Sequence, residues 1–409
     1  MTRRIAVVGA GMAAARFAER FQAFGGDAEV TLYGAEPRAP YNRVLLADVL
    51  TGRYAADDLT LPAGEARLRT GCEVTGLDTV AHTLELADGE RVPYDELVLA
   101  TGAEPVACGE LGRGRVHVVR TADDGEALAG AAARARRAVV IGGGVLGVSV
   151  ARALASCGLP VTIVHRAPYL VERDLDGPAG ELLRRGLAGL GVEVRTGVTV
   201  REAEPGAGEG EGAYGAVRVE LSDGHTLDAD LVVAACGVTP RTALARAAGL
   251  PVRTGVVVDD RLSCAPGVYA IGDCAEHAGR THGTAGPAWE QADVLAARLS
   301  GASPDAVYEG SRPYARLSAG PLEYAAFGDA AAAGEDGLDV LRIADATRGS
   351  YKKLVLRGDR IAGAVLLGDL ATVGALARAY ERGEPVPSDP FHLLTSPTSP
   401  TSPTSQGAS

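Results

Sequence analysis

Lysine is almost missing from this chain: Lys352 and Lys353 are the only two, and arginine carries the rest of the positive charge. The balance is acidic, with a formal net charge of −12, which argues against a nucleic-acid partner. No uninterrupted apolar run approaches the ~20 residues that span a bilayer. Met1-Thr2-Arg3-Arg4 leads straight into an apolar stretch without a signal-peptide pattern. A cytoplasmic protein with no membrane contact is expected. Cysteine is sparse. Cys72, Cys108, Cys157, Cys236, Cys264 and Cys274 form no C-x-x-C pair and match no zinc or iron–sulfur spacing, so no metal site is expected. Tryptophan occurs once, at Trp289.

What the chain has is two glycine fingerprints. Val7-Val8-Gly9-Ala10-Gly11-Met12-Ala13-Ala14 lies near the start, and Val139-Val140-Ile141-Gly142-Gly143-Gly144-Val145-Leu146-Gly147 follows near position 140. Each comes after an apolar run and opens a helical pattern, as a dinucleotide-binding turn does. The pattern predicts strands at Arg4 to Val8 and Glu29 to Tyr33 around a helix from Met12 to Phe24. It restarts with strands at Ala138 to Ile141 and Val161 to Val164 around a helix from Gly144 to Cys157. In the first loop Gly9 makes the turn, Gly11 lets the backbone approach a pyrophosphate, and Ala14 is the small third residue. Glu36 stands where an acid would bind a ribose hydroxyl. In the second loop Gly142, Gly144 and Gly147 complete the pattern. There the second strand ends in His165-Arg166 with no acid. Arg166 points to a 2′-phosphate and NADPH; the alternative is a solvated arginine beside a site for NADH.

Further apolar strands are expected at Val92 to Thr101, Leu231 to Ala235 and Val268 to Ile271, with hairpins at Glu193 to Arg201 and Ala216 to Leu227. The glycine-rich segment 204–212 reads as a flexible loop. From about Tyr308 the texture changes to strands at Glu323 to Phe327, Leu338 to Arg342, Tyr351 to Leu356 and Ile361 to Leu367. The Ser-Pro-Thr repeats at the end read as disordered.

The fold class expected is α/β: two Rossmann-like dinucleotide-binding domains plus a small α+β C-terminal domain. The boundaries expected are 1–110 and 236–305 for the FAD-binding domain, 111–235 for the NAD(P)-binding domain, 306–390 for the C-terminal domain, and 391–409 for the tail.

Three further segments carry a family resemblance. Ala100-Thr101-Gly102-Ala103-Glu104-Pro105 resembles the A-T-G-x-x-P stretch at the first crossing between nucleotide domains. Gly237-Val238-Thr239-Pro240-Arg241-Thr242 resembles the second crossing. Val268-Tyr269-Ala270-Ile271-Gly272-Asp273 resembles the second FAD signature. Together with the glycine loops they resemble the two-dinucleotide pyridine-nucleotide–disulfide oxidoreductase superfamily, of glutathione-reductase-like fold. The resemblance implies FAD at the first loop, NAD(P)H at the second, and Asp273 on a ribityl hydroxyl. It adds Thr101, Gly102, Gly237 and Gly272 to the cofactor-binding set. One departure is informative: Pro40-Tyr41-Asn42-Arg43-Val44-Leu45-Leu46-Ala47 stands where the disulfide members carry C-x4-C, so no dithiol relay operates there and electrons leave the flavin directly.

The segment Glu36 to Leu46, with His165, Leu170 to Asp176, Tyr351 to Leu356 and Gly363 to Asp369, is similar to the flavoprotein part of the NAD(P)H-dependent nitrite reductase large subunit and to the assimilatory nitrate reductase electron-transfer subunit. No cysteine follows Cys274, so the iron–sulfur and sirohaem ligands of that subunit are not expected. The expected activity is an FAD-dependent NAD(P)H oxidoreductase, a free-standing module feeding a nitrite or nitrate reductase. A ferredoxin or rubredoxin reductase serving an oxygenase is the alternative acceptor reading, and a non-catalytic flavin redox sensor is the third. Arg43 and Trp289 are the residues expected beside the flavin ring, and Arg43 stands near where rubredoxin and ferredoxin reductases carry a lysine. His277 and His282 read as solvated loop histidines. Lys352 and Lys353 read as strand-edge lysines or as a dock for an acidic acceptor. The oligomeric state stays open, a homodimer among the options.

Overall fold

In the computed structural model, residues 2–106, 116–205, 217–317, 323–330, 332 and 337–395 are described. The first sheet has six strands in the order Ser263–Ala265, Val268–Ala270, Glu96–Leu99, Arg4–Val8, Glu29–Tyr33 and Arg67–Arg69, parallel except at the Ser263–Ala265 edge. Ile5 to Val8 and Leu97 to Leu99 are buried on both faces, which is why they read as unbroken apolar runs rather than alternating ones. The helix Met12–Ala23 buries Ala14, Ala15, Phe17, Ala18 and Phe21, an apolar stripe at helical spacing.

The second sheet repeats the plan with five parallel strands: Val192–Thr196, Val161–His165, Ala138–Ile141, Leu231–Ala234 and Val116–Val118. Val192–Thr196 was expected in a hairpin and instead forms the edge of this sheet. An edge strand has one half-solvated face, and its alternation imitates a hairpin arm. The hairpin proper begins later. Val200–Pro205, Val217–Leu221 and Thr226–Ala229 form a three-stranded antiparallel sheet. Most of the glycine-rich segment expected as a loop, from 206 on, and the Ser-Pro-Thr tail from 396 on lie outside the described residues.

The chain passes between the two units twice, and the passages pair. Ala103–Pro105 and Val238–Pro240 form a two-stranded antiparallel ribbon. Thr101 Oγ1 donates to the Arg241 carbonyl at 2.8 Å, and the Arg241 N–H to the Gly102 carbonyl at 2.9 Å.

The C-terminal sheet is antiparallel, in the order Tyr314–Leu317, Tyr324–Gly328, Arg360–Leu367, Ser350–Arg357 and Asp339–Asp345. Both faces are covered. Tyr324, Ala326, Tyr351, Val365 and Leu367 join the core around the helix Gly177–Gly189 of the second unit, whereas Phe327, Leu354 and Leu366 pack with Leu376 of the helix Val373–Arg382. Lys352 and Lys353 are not edge lysines. Lys353 is fully buried, with Nζ donating to the Ala330 carbonyl at 2.9 Å and 3.1 Å from Asp176 Oδ2. Lys352 is buried beside the Leu394 carbonyl and Asp369. The strand lies centrally in the sheet, so neither ammonium is offered to a docking partner. Among the described residues no helix is long and apolar enough to cross a membrane.

Candidate active site: two glycine loops on one cleft

Both glycine loops open on one cleft of about 2950 Å³. An ordinary ligand pocket is roughly 300–1,000 Å³, so the cleft has room for two dinucleotides end to end. It runs along the C-terminal ends of both parallel sheets, where ligands of doubly wound folds bind.

The loops are near copies. Gly9 and Gly142 adopt φ of +110° and +108°, and their N–H groups donate at 2.8 Å to Tyr33 and Val164, each at or near the end of the second strand of its unit. A Cβ at Gly9 would stand 2.2 Å from the Ala100 carbonyl oxygen, and one at Gly142 2.3 Å from that of Ala235. Only glycine fits either place. At the second glycines the opposite holds: a Cβ at Gly11 or Gly144 meets no atom within 4 Å. That open side is the approach a pyrophosphate needs. Gly11 and Gly144 are also the N-caps of the helices Met12–Ala23 and Val145–Ser156, and neither helix end has a side-chain cap or an acid in its first turn. Their unpaired N–H groups and positive dipole ends form anion sites. At the third position Ala14 is fully buried, while a Cβ at Gly147 would lie 1.9 Å from the Gly142 carbonyl oxygen. The donor set fits a dinucleotide at each loop.

The first loop is framed by a polar network. Glu36, three residues past the strand Glu29–Tyr33, accepts from the Tyr41 hydroxyl at 2.6 Å and pairs with Arg43 Nη2. Arg43 Nη1 donates to the Arg120 carbonyl at 2.6 Å, so Arg43 is a strut in the cleft wall tied at two points. Gly272, at φ +78°, donates its N–H to Gln291 Oε1 at 2.7 Å. Asp273 follows on the cleft surface, and Arg120 Nη2 reaches its Oδ2 at 2.7 Å. Gly237, at φ +101°, lies at the foot of the second crossing.

In the second unit His165 ends the strand Val161–His165 and is 6% exposed. Its Nδ1 accepts the Gly143 N–H at 3.0 Å, so Nε2 carries the proton and donates to Glu172 Oε2 at 2.9 Å. The imidazole therefore braces the glycine loop rather than offering a free nitrogen to a ligand. Arg166 is exposed on the cleft rim and has no ion-pair partner among the described residues.

The helix Ala285–Leu299 points its N-terminus into the cleft, and Trp289, 37% exposed, stands on that wall with Glu290. His282 lies there too; it is half-buried rather than solvated, and burial pushes its pKa down, with Glu290 opposing. His277 is also not solvated. It is buried, 2.8 Å from Asp260 Oδ1 and edge-on to the Tyr308 ring.

Sequence reasoning missed Arg120. Its signal was local: it precedes Thr121, which caps the helix Ala122–Ala132 in a reciprocal box with Asp124. A residue between the strand Val116–Val118 and that helix lies at the ligand-binding end of a parallel sheet. Tyr41 and Glu172 lie in the Pro40–Ala47 and Leu170–Asp176 segments, where the sequence alone assigns them no role.

Two dinucleotide cradles on one cleft define a protein that brings two nucleotide cofactors together. The pyridine nucleotide-disulphide oxidoreductase family matches residues 3–292, and the rubredoxin NAD+ reductase C-terminal domain matches residues 313–384. The chain belongs to the pyridine nucleotide-disulphide oxidoreductase family. It is 37% identical over 381 residues to a nitrite reductase [NAD(P)H] of Bacillus subtilis, covering 90% of this chain and 46% of that protein. It is 33% identical to the assimilatory nitrate reductase electron transfer subunit of the same organism, covering 90% and 48%. The chain thus spans about half the length of these curated relatives. Among solved structures, a chain of the covalent putidaredoxin reductase–putidaredoxin complex superposes with a TM-score of 0.82 at 26% identity, covering 96% of this chain and 95% of that one. A ferredoxin reductase from Rhodopseudomonas palustris gives 0.81 at 27%, covering 96% and 100%.

Proposed function

We propose that the chain takes electrons from NAD(P)H and passes them through FAD to a redox protein of nitrate or nitrite assimilation in the cytoplasm. The observation that carries this reading is the pair of glycine loops opening on one cleft, each with a bare helix N-terminus and a glycine whose missing Cβ leaves open space. Held by these loops, FAD would supply the hydride-accepting and electron-transfer chemistry. The protein's contribution is positional.

Gly9, Gly11 and Ala14 would hold the FAD pyrophosphate at the Met12–Ala23 helix, Glu36 would take the adenosine ribose and Asp273 the ribityl chain. Arg43 and Arg120 brace those two acids. Gly142, Gly144 and Gly147 do the same for NAD(P)H at the Val145–Ser156 helix. Thr101, Gly102 and Gly237 hold the crossing between the two nucleotides, and Trp289 shields the wall beside the reacting rings. In this division 1–110 and 236–305 form the FAD-binding domain, 111–235 the NAD(P)-binding domain, and 306–390 a C-terminal cover. No cysteine stands in the Pro40–Ala47 segment, so this chain supplies no dithiol there between a flavin and its acceptor. The alternative acceptor is a ferredoxin or rubredoxin of an oxygenase system, a reading favoured by superposition along nearly the full length of ferredoxin reductases.

The test is an anaerobic titration of the FAD-loaded protein with NADH and with NADPH, followed in the visible spectrum. Stoichiometric bleaching by either nucleotide is expected. A yellow protein that neither bleaches overturns the reading.

A further inference from the structure

We infer that Glu172, held by His165, supplies the ribose-binding carboxylate of the second nucleotide site and selects NADH over NADPH; this rests on the second glycine loop being the nicotinamide dinucleotide site. In a doubly wound nucleotide fold, the acid that holds the ribose 2′-hydroxyl stands at the tip of the second strand. Here that tip is His165, and both its ring nitrogens are spent, one on the Gly143 N–H and one on Glu172. The imidazole does not replace the acid. It carries one. The Glu172 carboxylate, 29% exposed, is fixed 2.9 Å from His165 Nε2 on the wall of the cleft.

The backbone is bent to put it there. Val171 takes φ of +53°, a left-handed conformation that a β-branched residue adopts only when its surroundings impose it. What imposes it is the same loop: the Val171 N–H donates to the Gly143 carbonyl at 2.9 Å, and its side chain is buried. Gly143 is thus gripped on both its N–H and its carbonyl by the segment that presents Glu172. A Cβ on Gly143 would lie 2.8 Å from His165 Cγ and 2.4 Å from Leu170. A carboxylate in that place accepts a 2′-hydroxyl and repels a 2′-phosphate. Arg166, exposed and unpaired among the described residues, is a rim residue on this account.

The test is equilibrium binding of NAD+ and NADP+, which do not reduce the flavin, to the full-length FAD-loaded protein by calorimetry. The wild-type protein binds NAD+ at least about tenfold tighter than NADP+, the scale of a hydrogen bond to a charged group. Glu172→Gln narrows that gap by about tenfold, and Arg166→Ala leaves the NAD+ affinity unchanged. His165→Asn weakens NAD+ binding while FAD content is retained. The double variant His165→Glu with Glu172→Ala returns the acid to the strand tip and restores the preference for NAD+. A wild-type preference for NADP+ that Arg166→Ala abolishes overturns the inference and leaves the reductase reading standing. Binding of neither nucleotide overturns both.

Discussion

Arg120 Nη2 lies 2.7 Å from Asp273 Oδ2, and the two residues belong to different nucleotide units. Arg120 follows the edge strand of the second sheet, Asp273 follows the Val268–Ala270 strand of the first, and Arg120 Nε also holds the Ala103 carbonyl at 3.1 Å. The pair is mostly sheltered, so screening by solvent is limited and the bond fixes the carboxylate's orientation. Arg120→Gln leaves Asp273 without its charged partner. FAD retention after gel filtration, and affinity by flavin-fluorescence titration, fall by about 10–100-fold, the range for losing a charge-assisted bond.

The matched glycines separate folding from binding. Gly142→Ala and Gly147→Ala force a Cβ within 2.3 Å and 1.9 Å of carbonyl oxygens, and both variants accumulate as insoluble protein. Gly11→Val and Gly144→Val meet open space and keep the thermal midpoint within about 2 °C, a surface-like change. Gly11→Val loses FAD. Gly144→Val keeps FAD and loses the nicotinamide nucleotide. Cofactor content and nucleotide binding, measured on the same preparations, give the comparison; a Gly144→Val protein that binds nucleotide normally rules out the second loop as the cradle.

Lys353 and Asp176 join the C-terminal sheet to the second unit, where Asp176 also caps the helix Gly177–Gly189 and accepts from the Tyr351 hydroxyl. Removing one member of a buried pair costs about 3–5 kcal/mol. Lys353→Met therefore lowers the thermal midpoint by several degrees in calorimetry. If the lysine served acceptor docking instead, the midpoint would hold and only electron delivery would slow.

Burial pushes the pKa values of His117 and His282 below the ordinary histidine value of 6.5. As pH falls, the unfolded chain binds these protons first, so the folded state loses stability on going below about pH 6.5 and regains it on going back up. The midpoint falls between about pH 7.5 and about pH 5.5. The His117→Gln, His282→Gln protein shows a shallower fall over the same window, and an unchanged slope removes these two residues as the cause.

Much of this molecule was legible because parallel strands buried on both faces have to be apolar throughout, and the turns that leave them have to be glycine. Both nucleotide units and the strand ending at Gly272-Asp273 followed from those two rules. Val192–Thr196 misled because an edge strand is half solvated and mimics a hairpin arm. Lys352 and Lys353 misled more deeply. Nothing in a Lys-Lys pair reveals that Asp176, far away in sequence, waits to neutralise one of them. His165 and Glu172 were both visible as letters, but their bond depends on a left-handed turn at Val171 that no propensity predicts.

The ribbon of Ala103–Pro105 and Val238–Pro240 is the place where both connections between the nucleotide units are zipped together. Two separate tethers would let the halves swivel independently. The strap lies beside a packed seam in which Leu46, Ala47 and Leu50 of the first unit share a buried core with Val148, Ala151 and Leu154 of the second. Strap and seam together fix the position of one glycine loop relative to the other on the shared cleft.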